Sequence, residues 1–321
     1  MDDSGHAPVL LDQVLEVLAL QAGDVVLDCT AGRGGHAAAV AERLRALGGG
    51  TVVLCDLDRG NLDFAVARVR EAGGESVQIE AIHGNFASAP RRMLELGLSA
   101  DGVLADLGFS SNQMDDRSRG LSFQGEGPLD MRLDPTSPVS AADLVNSVSE
   151  QELSEILRDF GEERQHRAIA RKVVAVREAS PIQTTAELAE IVRSVVGSRP
   201  NPGGGSKKPI HPATKTFQAL RIAVNDELGN LDALLEAVQR AASAMRIERG
   251  GAARWIRPGA RIAVISFHSL EDRRVKRAFA GLQDRALGSV LTNRPISADE
   301  AEIARNPRSR SAKLRAIRMM S

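Results

Sequence analysis

The first hundred residues alternate between short apolar runs and helical segments, and this alternation is the strongest constraint on the fold. Four near-continuous apolar runs are present: VVLDC, TVVLCD, VQIEAIH and DGVLAD. Helical segments from Gly35 to Leu47 and from Arg59 to Ala72 separate the first three runs. Buried strands that alternate with helices are typical of a parallel sheet covered on both faces. The sequence therefore predicts an α/β fold with a doubly wound sheet.

The alternation stops after Leu107. A long segment rich in Gly, Ser, Asp and Pro follows, and then a stretch with helical patterns and no strand. Ser149 with Glu152 and Thr184 with Glu187 have the spacing of capping boxes, which begin helices. The glycine-rich segment GSRPNPGGGSKKP closes the stretch and is typical of a linker. We therefore expect an all-helical domain inserted into the α/β core.

The sheet is predicted to resume late in the chain. Residues 216–249 have a helical pattern interrupted near Gly229, and ARIAVISF is a fifth strand. The next segment, HSLEDRRVKRAF, is predicted to be a helix with Ser269 as N-cap and Asp272 at N3. These patterns predict a first core part at 1–134, an inserted helical domain at 135–212, and a second core part with a basic tail at 213–321.

Composition narrows the class of protein. The chain has 321 residues, is 43% hydrophobic and 26% charged, and has a formal net charge of −1. Any nucleic-acid binding must therefore come from local basic patches. The two cysteines, Cys29 and Cys55, lack the CxxC spacing of a metal site, and we expect buried free thiols and no metal. No secretory signal or long apolar span is visible, so we expect a cytoplasmic protein that does not enter a membrane.

A glycine turn follows the first strand. Gly32, Gly34 and Ala37 match the loose GxGxx(G/A) pattern of dinucleotide binding, which alone is a weak signal. Asp28, at the end of the strand, would repel a pyrophosphate but attract a cation by about 1–4 kcal/mol in a partly dry cleft. S-adenosylmethionine carries a sulfonium and an ammonium and has no phosphate. The turn therefore favours this cofactor over NAD, which remains the alternative.

The ends of the next three strands also carry side chains suited to a ligand. Asp56 could accept hydrogen bonds from a ribose, which both cofactors contain. Phe86 could pack on an adenine or belong to the core, and the sequence does not decide between them. Asp106 ends the fourth strand, at the edge of the sheet where cofactor and substrate would meet.

Seven motifs occur in a fixed order: DCTAGRGGH, DLGFSSNQMDD, RGLSF, GPLDMRLD, HPATKTFQALRI, ISFHSLEDRRVK and NPRSRS. Together they resemble the bacterial small-subunit ribosomal RNA (cytosine-N4) methyltransferase family, from HAPVLL at His6 almost to the last residue. The resemblance implies a class I, Rossmann-like enzyme that uses S-adenosylmethionine. It implies methylation of a cytidine in the decoding centre of 16S rRNA, on the small ribosomal subunit.

The resemblance also carries site residues onto this chain. The cofactor is implied to be lined by Gly34, Gly35, His36, Asp56, Phe86, Asp106 and Gln113. The N4 amine of cytosine is a poor nucleophile, because its lone pair is conjugated with the ring. Asp106 is therefore the predicted catalytic residue, an acceptor that polarises the amine with help from backbone carbonyls of Leu107 or Gly108. The alternative is that Asp106 binds only the cofactor. Phe109 is predicted to stack on the flipped base.

His268 has Glu271 three residues on but no third ligand in register, and Ser269 as a helix cap is the favoured interpretation of this junction. RNA contacts are predicted from four basic groups. They are Arg164, Arg167 and Arg171; Lys207 and Lys208; Arg273, Arg274, Lys276 and Arg277; and Arg308, Arg310, Lys313, Arg315 and Arg318.

Two other functions share this fold. A non-catalytic factor that binds ribosomal RNA during assembly would keep the cofactor fold without turnover. A NAD-dependent oxidoreductase is disfavoured by Asp28 and by the DLGFSS strand end. The sequence leaves open whether the chain forms a homodimer, and whether the substrate is naked RNA or an assembled subunit.

Overall fold

The structure is a computed structural model that describes residues 8–122, 126–197, 211–247 and 254–320. His6, the linker residues Lys207 and Lys208, and Arg249 lie outside the described residues. The chain divides into two compact units, and the first is discontinuous in sequence. It comprises Met1–Gly108 and Leu228–Ser321, whereas the second comprises Phe109–Glu227.

A seven-stranded sheet forms the centre of the first unit. Its strands are β1 (Val25–Asp28), β2 (Gly50–Asp56), β3 (Val77–His83), β4 (Ala100–Asp106), β5 (Ile256–Ser266), β6 (Gly288–Val290) and β7 (Lys313–Met319). The order across the sheet is β3-β2-β1-β4-β5-β7-β6. The first five positions follow the classic doubly wound order, which confirms the predicted α/β class.

The last two strands differ from the prediction. Strands β1 to β5 are parallel, but β7 lies antiparallel between β5 and β6. The segment of β7, KLRAIRM, was expected to be part of a basic tail, and it is instead an internal strand of the sheet. Charged side chains at three of its seven positions concealed its strand character.

The described residues form thirteen α-helices. They are α1 (Leu11–Leu18), α2 (Gly35–Leu47), α3 (Arg59–Gly73), α4 (Ala89–Glu95), α5 (Ser111–Asp115), α6 (Ala141–Ser147), α7 (Glu150–Asp159), α8 (His166–Arg177), α9 (Thr185–Val196), α10 (Thr214–Asn225), α11 (Glu227–Ile247), α12 (Ser269–Asp284) and α13 (Glu300–Arg305). None of these described helices is both long and apolar enough to cross a membrane.

Helices cover both faces of the sheet. Val26 belongs to a buried cluster with residues of α1, α2 and α3. Leu27, the next residue of β1, belongs to a second cluster with residues of α4, α11 and α12. Successive side chains of a strand point to opposite faces, so both faces of this sheet are buried. Cys29 and Cys55 are buried free thiols, as predicted.

The second unit is helical and has its own core. Its buried apolar side chains come from α6 to α10 and include Leu153, Leu157, Ile169 and Leu188. Thr184 and Glu187 form the predicted capping box at the start of α9, and the Ser149 side chain accepts from the Glu152 N–H at α7. These two caps explain why the helices begin where the sequence predicts.

The bounds of the second unit differ from the predicted insertion at 135–212. Leu129 and Met131, upstream of that segment, are buried in the helical core. Phe217 and Leu220, downstream of it, are buried in the same core. The break between α10 and α11 falls at Asp226, in left-handed conformation with φ 47°, and Gly229 lies within α11.

Candidate active site

Three aspartates end parallel strands at one edge of the sheet. Asp28 is the last residue of β1, Asp56 of β2 and Asp106 of β4. Because β1 lies between β2 and β4, their carboxyl ends are neighbours. In open α/β sheets, ligands bind in the crevice outside this edge.

The turn after β1 requires glycine at the predicted positions. Gly34 has φ 74°, and a Cβ there would lie 3.0 Å from the Ala65 Cα of α3. A Cβ on Gly35 would lie 2.8 Å from the Pro8 Cγ. Helix α2 therefore begins in close contact with α3 and with the segment before α1, and its first turn lies beside the three aspartates.

Asp28 holds the turn. Its side chain is buried, and Oδ1 accepts a hydrogen bond of 3.0 Å from the Thr30 N–H. Burial is the main reason that the pKa of Asp28 rises to about 6, against the attraction of His36. A cation bound nearby would favour the ionised form, as the sequence argument for a cationic ligand expects.

Asp56 joins the turn to the end of β2. Its Oδ2 accepts from the Gly32 N–H at 2.7 Å, and its Oδ1 accepts from the Asp58 N–H at 2.8 Å. Burial raises its pKa to about 6, and these two hydrogen bonds oppose the rise. Both oxygens are therefore oriented by backbone donors, and their remaining lone pairs could accept from ribose hydroxyls.

Asp106 has no comparable support. Its Oδ1 is buried and has no hydrogen-bond partner among the described residues. Its Oδ2 lies 3.6 Å from the His36 Nδ1, and its side chain is 25% exposed. Burial, followed by the negative charge of Glu271, raises the pKa of Asp106 to about 7. A buried acceptor without a donor is costly, and it commonly marks a position that a ligand completes.

His36 lies in the first turn of α2 and is buried. Its Nε2 is 2.8 Å from the Val9 carbonyl oxygen, and its Nδ1 faces Asp106. Burial lowers the pKa of His36, although Asp28, the Val9 carbonyl and Glu302 oppose this effect. The imidazole is therefore neutral at neutral pH. It lies beside Asp106, among the residues that are predicted to line the cofactor.

Phe86 and Gln113 are less directly placed. Phe86 follows β3 and is partly buried against the apolar core, so both of its predicted interpretations stay open. Gln113 belongs to the second unit, where its Oε1 accepts from the Ser110 N–H at 3.0 Å and caps α5. Contact of either residue with a cofactor stays a prediction. Phe109 is also in the second unit, with the Arg221 guanidinium 4.8 Å from its ring centroid.

The start of α12 differs from the prediction. Ser269 is its first helical residue and His268 is the N-cap, so Ser269 does not cap it. The Glu271 Oε2 accepts from the Phe267 N–H at 2.8 Å and from the His268 N–H at 3.3 Å. Glu271, and not Asp272, therefore occupies N3. Buried and negative, it raises the pKa of nearby Asp106.

Several of the predicted RNA contacts already have acidic partners, including Arg171 with Glu150 at 3.7 Å and Lys313 with Asp272 at 3.9 Å. Arg315 is buried, and its Nε lies 2.6 Å from the Asp272 Oδ1, so the prediction that it contacts RNA is wrong. Arg274 is half-buried, with its Nε 3.1 Å from the Asp232 Oδ2. Lys276 and Arg277 are exposed on α12, and Arg164, Arg167 and Arg171 are exposed in the second unit.

Sequence reasoning did not find two residues that organise this edge. The Asp106 N–H donates to the Thr30 Oγ1 at 2.6 Å, which fixes the end of β4 against the turn. The Leu10 N–H donates to the Glu302 Oε1 of α13 at 2.7 Å, which fixes the segment that carries the Val9 carbonyl. Neither contact has a signal in the local sequence, because the partners lie 76 and 292 positions apart.

Comparison with known proteins gives a consistent result along the whole chain. The model of the MraW methylase family matches residues 3–320. A relative from Syntrophotalea carbinolica is 45% identical over 331 residues, which cover 98% of each chain. A relative from Pelobacter propionicus is 44% identical over 330 residues, which cover 97% of each chain. Both relatives are named ribosomal RNA small subunit methyltransferase H.

Proposed function

Because the chain belongs to the MraW methylase family, we propose that it transfers a methyl group from S-adenosylmethionine to 16S rRNA of the small ribosomal subunit. The names of its relatives support small-subunit rRNA as the substrate. The proposed target atom is the exocyclic N4 of a cytidine in the decoding centre. Two observations support this target: the ordered set of motifs in the sequence, and the carboxyl groups at the carboxyl edge of the sheet.

Membership in a methylase family and the charges of the edge agree on S-adenosylmethionine as the cofactor. Asp28, Asp56 and Asp106 bring three carboxyl groups to the ends of neighbouring strands, and His36 is neutral there. This edge suits a sulfonium and an ammonium, and it would repel the pyrophosphate of NAD. When bound, the cofactor supplies an electrophilic methyl group.

The observation that carries the proposal is the Oδ1 of Asp106, which has no hydrogen-bond partner in the described ranges of the chain. An amine N–H of the target base would give this oxygen the donor that it lacks. As N4 attacks, positive charge builds on the amine, and a fixed acceptor stabilises that charge. The carbonyls of Leu107 and Gly108 are proposed as further acceptors. The rest of the task is positioning, with N4 roughly 3–3.5 Å from the methyl carbon.

Cofactor binding is proposed for the remaining residues of the edge. Gly34, Gly35 and His36 would line the cofactor along the start of α2. Asp56 would accept from the ribose hydroxyls, and Phe86 would pack on the adenine. Cofactor contact by Gln113 is proposed from the resemblance alone, and the second unit is proposed to recognise the rRNA. Its exposed arginines Arg164, Arg167 and Arg171 support that second role by their charge.

Small subunits from a strain that lacks this protein provide the test. The subunits are incubated with the protein and methyl-labelled cofactor, and the modified base is located by mass mapping of RNA fragments. We expect one methyl group on N4 of one cytidine. Methyl on C5, or no transfer to assembled subunits and to naked 16S rRNA, would exclude the proposal. A matched reaction with Asp106→Asn tests whether transfer depends on this carboxylate.

A further inference from the structure

The imidazole of His36 connects the reactive carboxylate to the backbone. It is 6% exposed, and its two nitrogens face different groups. Nε2 lies 2.8 Å from the Val9 carbonyl oxygen, and Nδ1 lies 3.6 Å from the Asp106 Oδ2. Asp106 itself has a second oxygen, Oδ1, with no partner among the described residues. The Asp106 carboxyl group thus lies between the position that its Oδ1 faces and the Nδ1 of His36.

The Val9 carbonyl selects one tautomer of His36. A carbonyl oxygen only accepts hydrogen bonds, so Nε2 must carry the proton. Nδ1 of the neutral ring therefore has a free lone pair, directed at Asp106. A lone pair opposite a carboxylate is unfavourable until a proton lies between them. The arrangement can therefore take up a proton on Nδ1 from the Asp106 carboxyl.

We propose that His36 Nδ1 receives the proton that the target amine loses, after that proton has passed through Asp106. This role rests on the proposed function. In the step, the bond between N4 and the methyl carbon forms, and the bond from that carbon to sulfur breaks. The electron pair of the broken bond stays on sulfur. The proton of N4 moves to the Asp106 carboxylate, and from its Oδ2 to Nδ1, leaving an imidazolium.

The electrostatics of the cluster suit this transfer. Burial raises the pKa of Asp106 to about 7, so its carboxyl both takes up and releases a proton near neutral pH. Burial lowers the pKa of His36, and the charges of Asp28 and Glu302 oppose this effect. Asp28 and Glu302 face His36, and Glu271 faces Asp106. Asp28 and Glu302 are acidic and would stabilise a positive ring.

The segment that carries Val9 is itself fixed. Leu10 is fully buried with φ 55°, an uncommon conformation for leucine. Its N–H donates to the Glu302 Oε1 at 2.7 Å. The segment therefore cannot easily rotate the Val9 carbonyl away from Nε2. Glu302 is a positioning residue in this account, because it acts on His36 through the backbone.

The first experiment is histidine NMR on the unliganded protein, which does not depend on the rRNA reaction. We expect the nitrogen shifts of His36 to show a protonated Nε2 and an unprotonated Nδ1 at pH 8. A ring with its proton on Nδ1 cannot accept from Asp106, and it would overturn the proposal even if the enzyme methylates rRNA. Spectra of His36→Gln assign the signals.

The second experiment is single-turnover methyl transfer to small subunits by His36→Gln. The carboxamide keeps an N–H donor for Val9 but has no basic nitrogen. We expect the transfer rate at saturating cofactor to fall about 10- to 100-fold. Calorimetry measures the change in cofactor affinity separately, because His36 also belongs to the proposed cofactor site. The matched control is His83→Gln, since the Nε2 of His83 lies 3.2 Å from the Leu57 carbonyl and the residue is exposed.

The outcomes separate the two proposals. An unchanged transfer rate in His36→Gln would exclude a proton role for the ring. A rate loss that saturating cofactor restores would make His36 a cofactor-binding residue only, and would also overturn the inference. Failure of the unmodified protein to methylate rRNA would contradict the proposed function instead, and the NMR result would still stand on its own.

Discussion

Strands β2 and β4 flank the same glycine turn, and each strand ends in an aspartate. The two carboxyl groups nevertheless receive different hydrogen-bond donors. After β2 the backbone turns into α3, and N–H groups of Asp58 and Gly32 point at Asp56. After β4 the chain stays extended, and the Leu107 N–H donates to the Ile265 carbonyl of β5. Within the described part of the chain, Asp106 therefore receives no backbone donor on its Oδ1.

This difference separates a binding group from a reactive one. A carboxylate that accepts two backbone N–H bonds is fixed in position and largely satisfied. A buried oxygen without a donor costs about 1–3 kcal/mol, which a native structure retains where function uses it. The comparison predicts that changes at the end of β4 affect the rate of transfer, and that changes at the end of β2 affect cofactor affinity.

The largest expected effect is that of Asp106→Asn on turnover. The amide cannot accept a proton and presents an N–H₂ group where the amine of the base would donate. We expect kcat to fall by about 100- to 1000-fold, while the Kd for S-adenosylhomocysteine changes less than about threefold. Single-turnover kinetics and calorimetry measure the two. Near-normal turnover with normal cofactor affinity would show that Asp106, at the end of β4, is not a reactive group.

Asp56→Asn should give the opposite pattern. Replacing one oxygen by N–H₂ loses a charged acceptor for the ribose and places a donor against a backbone N–H. We expect the Kd for S-adenosylhomocysteine to rise about 10- to 100-fold, with kcat at saturating cofactor nearly unchanged. Asp63→Asn is the matched control, because that carboxylate is 63% exposed on α3. Equal affinity in both variants would show that Asp56 only shapes the turn.

The difference in stability between wild type and Asp106→Asn should change with pH, and this change reports on Asp106. Burial raises its pKa from 3.8 to about 7 in the folded state, so between these values the folded state holds a proton that the unfolded state releases. The contribution of Asp106 to wild-type stability therefore falls as pH rises from about 4 to about 7. Asp28 and Asp56 contribute with the same sign, but they are common to wild type and Asp106→Asn.

We expect the free energy of unfolding of Asp106→Asn, relative to wild type, to increase by about 1–3 kcal/mol between pH 4 and pH 8. Urea unfolding of both proteins at the two pH values measures this difference. The variant would then be less active but more stable, as is common where an active site holds an unfavourable charge. A difference that does not depend on pH would mean that Asp106 titrates normally.

The smallest effect is expected on the surface of the same unit. Lys276 and Arg277 are exposed on α12, which begins at the carboxyl edge. Replacing both by Ala should weaken RNA binding about 3- to 10-fold and lower the slope of log K against log salt by about 2. The control is the double Ala variant of Arg45 and Arg70, which are exposed near the C-terminal ends of α2 and α3. An unchanged salt slope would exclude the α12 pair from the RNA interface.

Much of the fold follows from local sequence. Apolar runs predict β1, β2, β4 and β5 because these strands bury most of their side chains, whereas the edge strand β3 buries only Val77 and Ile82. β7 escapes such reasoning, because the buried Arg315 is tolerated only through Asp272, 43 positions away. The site shows the same limit. Aspartates at strand ends are visible in the sequence, but whether Asp56 or Asp106 receives backbone donors depends on how the following loop turns.

The order of strands has a consequence for synthesis. β4 and β5 are neighbours in the sheet, but the whole second unit lies between them in the chain. At roughly 5–20 residues per second, about 150 residues separate the completion of β4 from the arrival of β5 by some 10–30 s. During that interval the open edge of β4 could pair with another chain. Early folding of the helical unit, or a chaperone bound to the nascent chain, would protect the nascent sheet from aggregation.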